Sequence, residues 1–298
     1  MNDKTKELLE KLEEGVKGVF DSDRYKDYLM FVSKFYRYSY FNTMLIFSQK
    51  KTATLVAGYK KWQEMGRFVK KGEKGIAILA PGFKNKDYYQ ADEKGRLFKD
   101  EKGNPVLKET KKELAYFMPV HVFDISQTDG EPVPTLAPVL QGEIDNYDKV
   151  FGALEKLSPC SIVFEDLPYG VRGEWDYEAG TITLSTDLSQ THTIKTLVHE
   201  LAHARLHTQI MNEKRSEQVM KQSEREIEAE SIAFVVSNHL GIDTSDYSFG
   251  YIASWSKDKK VEQLKAVLST IAKESSAILK EIDLAVSREP EKTYAIDR

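Results

Sequence analysis

The chain of 298 residues contains a single cysteine, Cys160, so no disulfide can form within it. That suits a reducing compartment. No apolar run approaches the roughly 18–20 residues needed to cross a bilayer, which argues against a membrane partner. The first residues, MNDKTKELLEKLEEG, are charged and helix-like, without the apolar stretch of a signal peptide, so a cytoplasmic location is expected. Prolines are few, nine in all, yet Pro132, Pro134 and Pro138 fall close together. Such a cluster reads as an extended connector. It divides the chain into residues 1–126, a linker at 127–142 and residues 143–298. No internal repeat is present.

The two parts differ in charge. Residues 1–130 hold 25 Lys and Arg against 19 Asp and Glu, a net of +6, and the remainder carries a net of −10. A basic half is the usual footprint of a nucleic-acid surface, so the halves are expected to meet different partners. Amphipathic helices are expected at 3–20 and 22–38, a short helix capped by Asn42, and a helix at YKKWQEM ending on Gly66. RFVKKGEKGIAILAP reads as a hairpin about the turn 71–75. Residues 83–113 read as an exposed, charged hairpin, and LAYFMPVHVFDI as a closing strand. The second part offers a helix near 144–157, the strands SIVFED, VRGEWDY and TITLST, and helices near 190–208, 216–240, 248–256 and 258–286. The fold class expected is α+β in two domains.

The second part carries the sharpest chemical signal, His199-Glu200-Leu201-Ala202-His203. Residues four apart share one helix face, so both imidazoles can reach one ion. Zinc accepts histidine nitrogen and suits three protein ligands plus a water, and Glu200 is placed to take that water's proton. One Zn2+ per chain is therefore expected. His207 continues the four-residue series, but along a straight helix three such ligands form a row rather than converge. The third ligand is better sought in SEREIEAESIAFVVSNHLG, which offers Glu224, Glu226, Glu228 and Glu230. A carboxylate buried near Ile232 and Val236 is costly unless it binds a cation. Glu228 lies on the side that continues to Ile232 and Val235 and is the choice, with Glu230 the runner-up.

Here the sequence resembles ImmA/IrrE-type metallopeptidases, whose HExxH is followed by a helix with E-A-[D/N/E]-x-x-A. HELAH and EAESIAF fit that pattern, and the resemblance maps the third ligand to Glu228. It covers roughly residues 145–241. It implies a zincin-like domain in which an extended peptide substrate is held beside the strand near 181–186.

The first part is basic and aromatic around residues 50–74. Lys60, Lys61, Trp62, Arg67, Lys70, Lys71 and Lys74 are the candidate nucleic-acid-binding residues: lysines that follow phosphates, rings that stack on unpaired bases. The stretch FNTMLIFSQKKTATLVAGYKKWQEMGRFVKKGEKGIAILAP resembles the N-terminal domain of ArdC-type antirestriction proteins. Asn42, Leu45, Ile46, Gln49, Val56, Gly58, Trp62, Gly66, Arg67 and the run Val69–Ile76 carry that match. The resemblance implies a single-stranded-DNA-binding domain joined to a zincin-like domain, and a role in protecting incoming DNA on conjugative elements. The alternative is an active zinc metalloendopeptidase that cleaves a repressor-like protein and uses the N-terminal domain for recruitment.

Overall fold

The structure is a computed structural model and describes residues 3–133, 146–212 and 222–286. It is a mixed α+β chain, as the patterning leads one to expect. The first two helices are α1 (Asp3–Val19) and α2 (Ser22–Phe35). Helix α1 buries Leu8, Leu12, Val16 and Val19, the three- and four-residue spacing of one helix face. Helix α2 starts on Asp21, whose carboxylate accepts from the Asp23 amide. Helix α3 (Tyr40–Gln49) starts on Ser39, which accepts from the amide of Asn42. Asn42 is therefore not the cap.

The side chain of Asn42 is directed instead at a strand. Strands β1 (Val56–Gly58), β3 (Ile76–Tyr89) and β4 (Leu107–Asp124) form an antiparallel sheet in the order β1-β4-β3. Strand β3 is an edge, and α3 covers its inner end. The Asn42 amide donates to the Leu79 carbonyl and accepts from the Leu79 N–H, both at 2.9 Å. Gln49 does the same for Ala77, at 2.9 and 3.0 Å. Ala77 and Leu79 are two apart, so both present their backbone groups to the same edge.

Beyond the sheet's inner end β3 and β4 run on as a long ribbon, with Phe83, Leu114 and Tyr116 exposed. The charged segment 83–113 is thus a hairpin in the solvent. The hairpin expected about residues 71–75 does not form. Strand β2 (Arg67–Val69), which follows α4 (Tyr59–Glu64), pairs with β5 (Thr128–Gly130). The cause is Arg67, whose guanidinium donates to Thr128 Oγ1 at 2.8 Å and to the Thr128, Gly130 and Glu131 carbonyls. Gly130 has φ of 136°, and a Cβ there would lie 2.2 Å from the Gly66 carbonyl, so only glycine lets these chains meet. The pairing of β5 carries the N-terminal part past residue 126. Pro134, Pro138 and the rest of the expected connector from 134 to 142 lie outside the described residues.

The second part comprises α5 (Tyr147–Leu157), then β6 (Ser161–Glu165), β7 (Gly173–Asp176) and β8 (Thr181–Ser185). Strand β8 is central, parallel to β6 and antiparallel to β7. This corrects the expectation that an extended peptide lies beside the strand near 181–186: both its edges are used, and β7 is an edge strand of this sheet. Helices α6 (Gln190–Asn212), α7 (Gln222–His239), α8 (Ile252–Ser256) and α9 (Val261–Val286) complete the chain.

One hydrophobic core runs through both parts. Helix α2 packs against α7: Tyr25 Oη lies 2.8 Å from Ser231 Oγ, and Asn238 Nδ2 donates to Ser33 Oγ at 2.7 Å. The turn after α2 reaches α9, where Asp283 meets Tyr36, Arg37 at 3.0 Å and His239 at 3.4 Å.

Candidate metal centre

Helix α6 is buried through Ile194, Leu197, Val198, Leu201 and Ala202, and this inner face leaves His199 and His203 toward α7 and the sheet. Their Nε2 atoms converge to 3.2 Å. The third group is Glu226, whose Oε2 lies 3.6 Å from each Nε2. Ligands about 2.0–2.1 Å from a tetrahedral ion stand roughly 3.3 Å apart, so a triangle of 3.2, 3.6 and 3.6 Å fits one such ion. Among the described residues, these three form a group able to hold a metal.

Glu228 is not part of it. It is buried and lies 3.3 Å from Nε2 of the fully buried His207. Glu226 and Glu228 are about 200° apart around the helix, so only one can join the His199–His203 pair. Burial does not single out the carboxylate that faces the histidine pair, because Glu226 is half-exposed, its side chain at 46%. Spacing in the sequence does not decide between them, because Glu224 and Glu228 are four apart just as Glu226 and Glu230 are.

Glu200 and Glu230 line a cleft of about 310 Å3 with His199, Arg172, Lys195 and Tyr247. Burial pushes the Glu200 carboxyl up, opposed by His199 and His203. Burial alone would lower the His199 pKa, but its hydrogen bond with Glu226 and the charge of Glu200 raise it. The two imidazoles hold Glu226 well below the usual carboxylate range. Burial pushes Glu228 up to about 7 and His207 down to about 4. Trp175 of β7 stacks on His203 with ring planes 5° apart. A Cβ on Gly173 would come within 2.6 Å of Thr196, so glycine lets this edge strand lie against α6.

In the N-terminal part the expected nucleic-acid residues separate into two groups. Lys60, Lys70, Lys71 and Lys74 are exposed, though Lys70 lies 3.5 Å from Asp129. Lys61 is half-buried and pairs with Glu64 at 3.1 Å. Trp62 is fully buried, and its Nε1 donates to the Phe123 carbonyl at 2.8 Å. It cannot stack on a base. Arg67 is committed to holding β5. The exposed rings of this segment are Tyr59 and Phe68, 50% and 58% accessible, which the sequence alone does not separate from the core aromatics.

A sheet leading into an HExxH helix, with a carboxylate from the next long helix closing the site, defines a zincin-like metallopeptidase domain behind an α+β N-terminal part. Residues 162–268 match the IrrE N-terminal-like domain, and residues 1–123 match the N-terminal domain of anti-restriction factor ArdC. The chain thus carries a part similar to the ArdC N-terminal domain followed by a part similar to the IrrE N-terminal-like domain. An uncharacterized protein of Bacillus anthracis is 27% identical, covering 98% of this chain and 54% of that protein. DNA primase TraC of Escherichia coli is 26% identical, covering 77% of this chain and 16% of the primase. The chain thus spans about half the length of the first relative and a smaller share of the second. The metal-free crystal structure of antirestriction ArdC from plasmid R388 has 22% identity and a TM-score of 0.52, covering 84% of this chain and 85% of that one, a likeness of fold. The Mn(II)-bound form of that protein has a TM-score of 0.48. Among the described residues, no helix is long and apolar enough to cross a membrane.

Proposed function

We propose that this chain is an antirestriction-type protein of a mobile element that binds single-stranded DNA through its N-terminal part and holds one zinc ion at His199, His203 and Glu226. The match of residues 1–123 to an anti-restriction N-terminal domain carries this reading. Exposed Lys60, Lys71 and Lys74, with Tyr59 and Phe68 nearby in sequence, supply the phosphate-following cations and stacking rings of a single-strand surface. The test is a fluorescence titration of the full chain with labelled oligonucleotides across a salt series. Neutralising about four to six phosphates gives a slope of log K against log salt of roughly −3 to −4 for a single strand. Equal or tighter binding to duplex, or a flat salt response, would overturn it.

A second reading, a metalloendopeptidase acting on a protein, is favoured by Glu200 in the cleft beside His199. A divalent ion bound there supplies Lewis acidity and a water of lowered pKa. Glu200 takes the proton and delivers it to the leaving amine, while the free edge of β7 aligns an extended peptide. Cleavage of candidate proteins that vanishes in Glu200→Gln, with metal content kept, would establish this reading.

A further inference from the structure

Behind the metal-facing triangle lies a second row of groups, none of which can reach the ion. Nδ1 of His203 is 2.9 Å from Nδ1 of His207, and Nε2 of His207 is 3.3 Å from Oε2 of Glu228. His207 is fully buried and Glu228 is 4% exposed, so water does not compete for these contacts.

We infer that His207 and Glu228 form a buried relay that fixes the tautomer and ring plane of His203 for metal binding, an inference that rests on the zinc site proposed above. The direction of the protons follows from one requirement. A metal takes the lone pair of His203 Nε2, so the ring's hydrogen sits on Nδ1 and donates to His207 Nδ1. His207 then carries its own hydrogen on Nε2 and donates it to Glu228. Each histidine has one donor role and one acceptor role, and the chain ends on Glu228, which accepts through Oε2. Metal-binding histidines characteristically hand their second N–H to a carboxylate, carbonyl or water. Here a second histidine is interposed because Glu228, anchored on α7 beside α9, reaches His207 but not His203. Trp175 stacks on the His203 ring, so ring plane and ring rotation are both constrained. His207 and Glu228 are positioning residues. This accounts for a buried carboxylate on α7 without making it a ligand.

The experiment uses the full chain. Zn2+ affinity is measured by competition with a chromophoric chelator, and the imidazole 15N shifts of the zinc-loaded parent are recorded. The expected shifts show His203 protonated on Nδ1 and His207 on Nε2. His207→Ala and Glu228→Leu each weaken Zn2+ binding about 10–100-fold at unchanged one-ion stoichiometry. Glu228→Gln keeps most of the affinity, because its amide oxygen still accepts from His207. A His207 protonated on Nδ1 in the loaded parent overturns the relay, as does parental affinity in a folded His207→Ala. Should that variant not fold, the shifts of the unsubstituted protein decide. Failure of the site itself looks different: a parent that takes up no zinc, or His199→Ala and Glu226→Gln that bind as the parent does, removes site and relay together.

Discussion

Asn42 does for Leu79 what a neighbouring strand would do: its one side-chain amide completes both backbone hydrogen bonds of that residue. Gln49 repeats the device at Ala77. A helix laid along a sheet edge normally leaves that edge's N–H and C=O groups without partners. Two carboxamides solve the problem at this position because each carries a donor and an acceptor side by side.

Replacing Asn42 by Leu should therefore cost about 1–3 kcal/mol, since it strands the Leu79 N–H and C=O beneath α3. Urea unfolding checks the magnitude. An unchanged midpoint would mean that water serves this edge as well as the amide does.

Trp62→Ala should cost about 3–5 kcal/mol as a core truncation, since the ring is fully buried. The exposed Tyr59 and Phe68 should behave the other way. Their alanine variants should melt close to the parent, and under the proposed function each loses about 1–3 kcal/mol of single-strand affinity. Thermal melts beside anisotropy titrations separate the two cases. Normal stability in Trp62→Ala would mean the ring does not hold the sheet.

Metal analysis of His199→Ala, His203→Ala and Glu226→Gln should show loss of zinc. Glu200→Gln should retain it, because that carboxyl is assigned to the water and not to the ion. Retention of parental affinity by Glu226→Gln would exclude it as the third ligand.

Asp283 gives a pH dependence. Burial works against its charge, but His239, Tyr36 and Arg37 outweigh burial and hold its pKa below the ordinary value of 3.8. A carboxyl lowered on folding contributes stability that is full above its unfolded pKa and is lost as pH falls through its folded one. The stability gap between the parent and Asp283→Asn should therefore be level above about pH 5 and shrink below about pH 4. Denaturant melts from pH 3 to 7 measure it, and a gap that grows on acidification would reverse the sign argued here.

The helices and the HExxH pair were legible because their signals are local: apolar residues four apart, and two histidines four apart on one face. Topology was less so. The partner of β2 is set by Arg67 reaching residues 128–131, a contact invisible to a reading of the turn between two short apolar runs. Trp62 and Tyr59 sit three residues apart in one basic segment, and only the sheet behind α4 makes one core and the other surface. The third carboxylate was not legible for a related reason. Burial pointed to Glu228, whereas reach decides a ligand, and reach depends on how α7 crosses α6.

The packing of α2 on α7 carries a consequence for the chain as it is made. Tyr25 and Ser231 stand 206 residues apart. A ribosome adding about 5–20 residues per second needs roughly 10–40 s to span that distance. Throughout that interval Tyr25 has been synthesised and its partner on α7 has not. The nascent chain must keep Tyr25 from other surfaces until α7 emerges, and this side of the helix is where a chaperone would serve it.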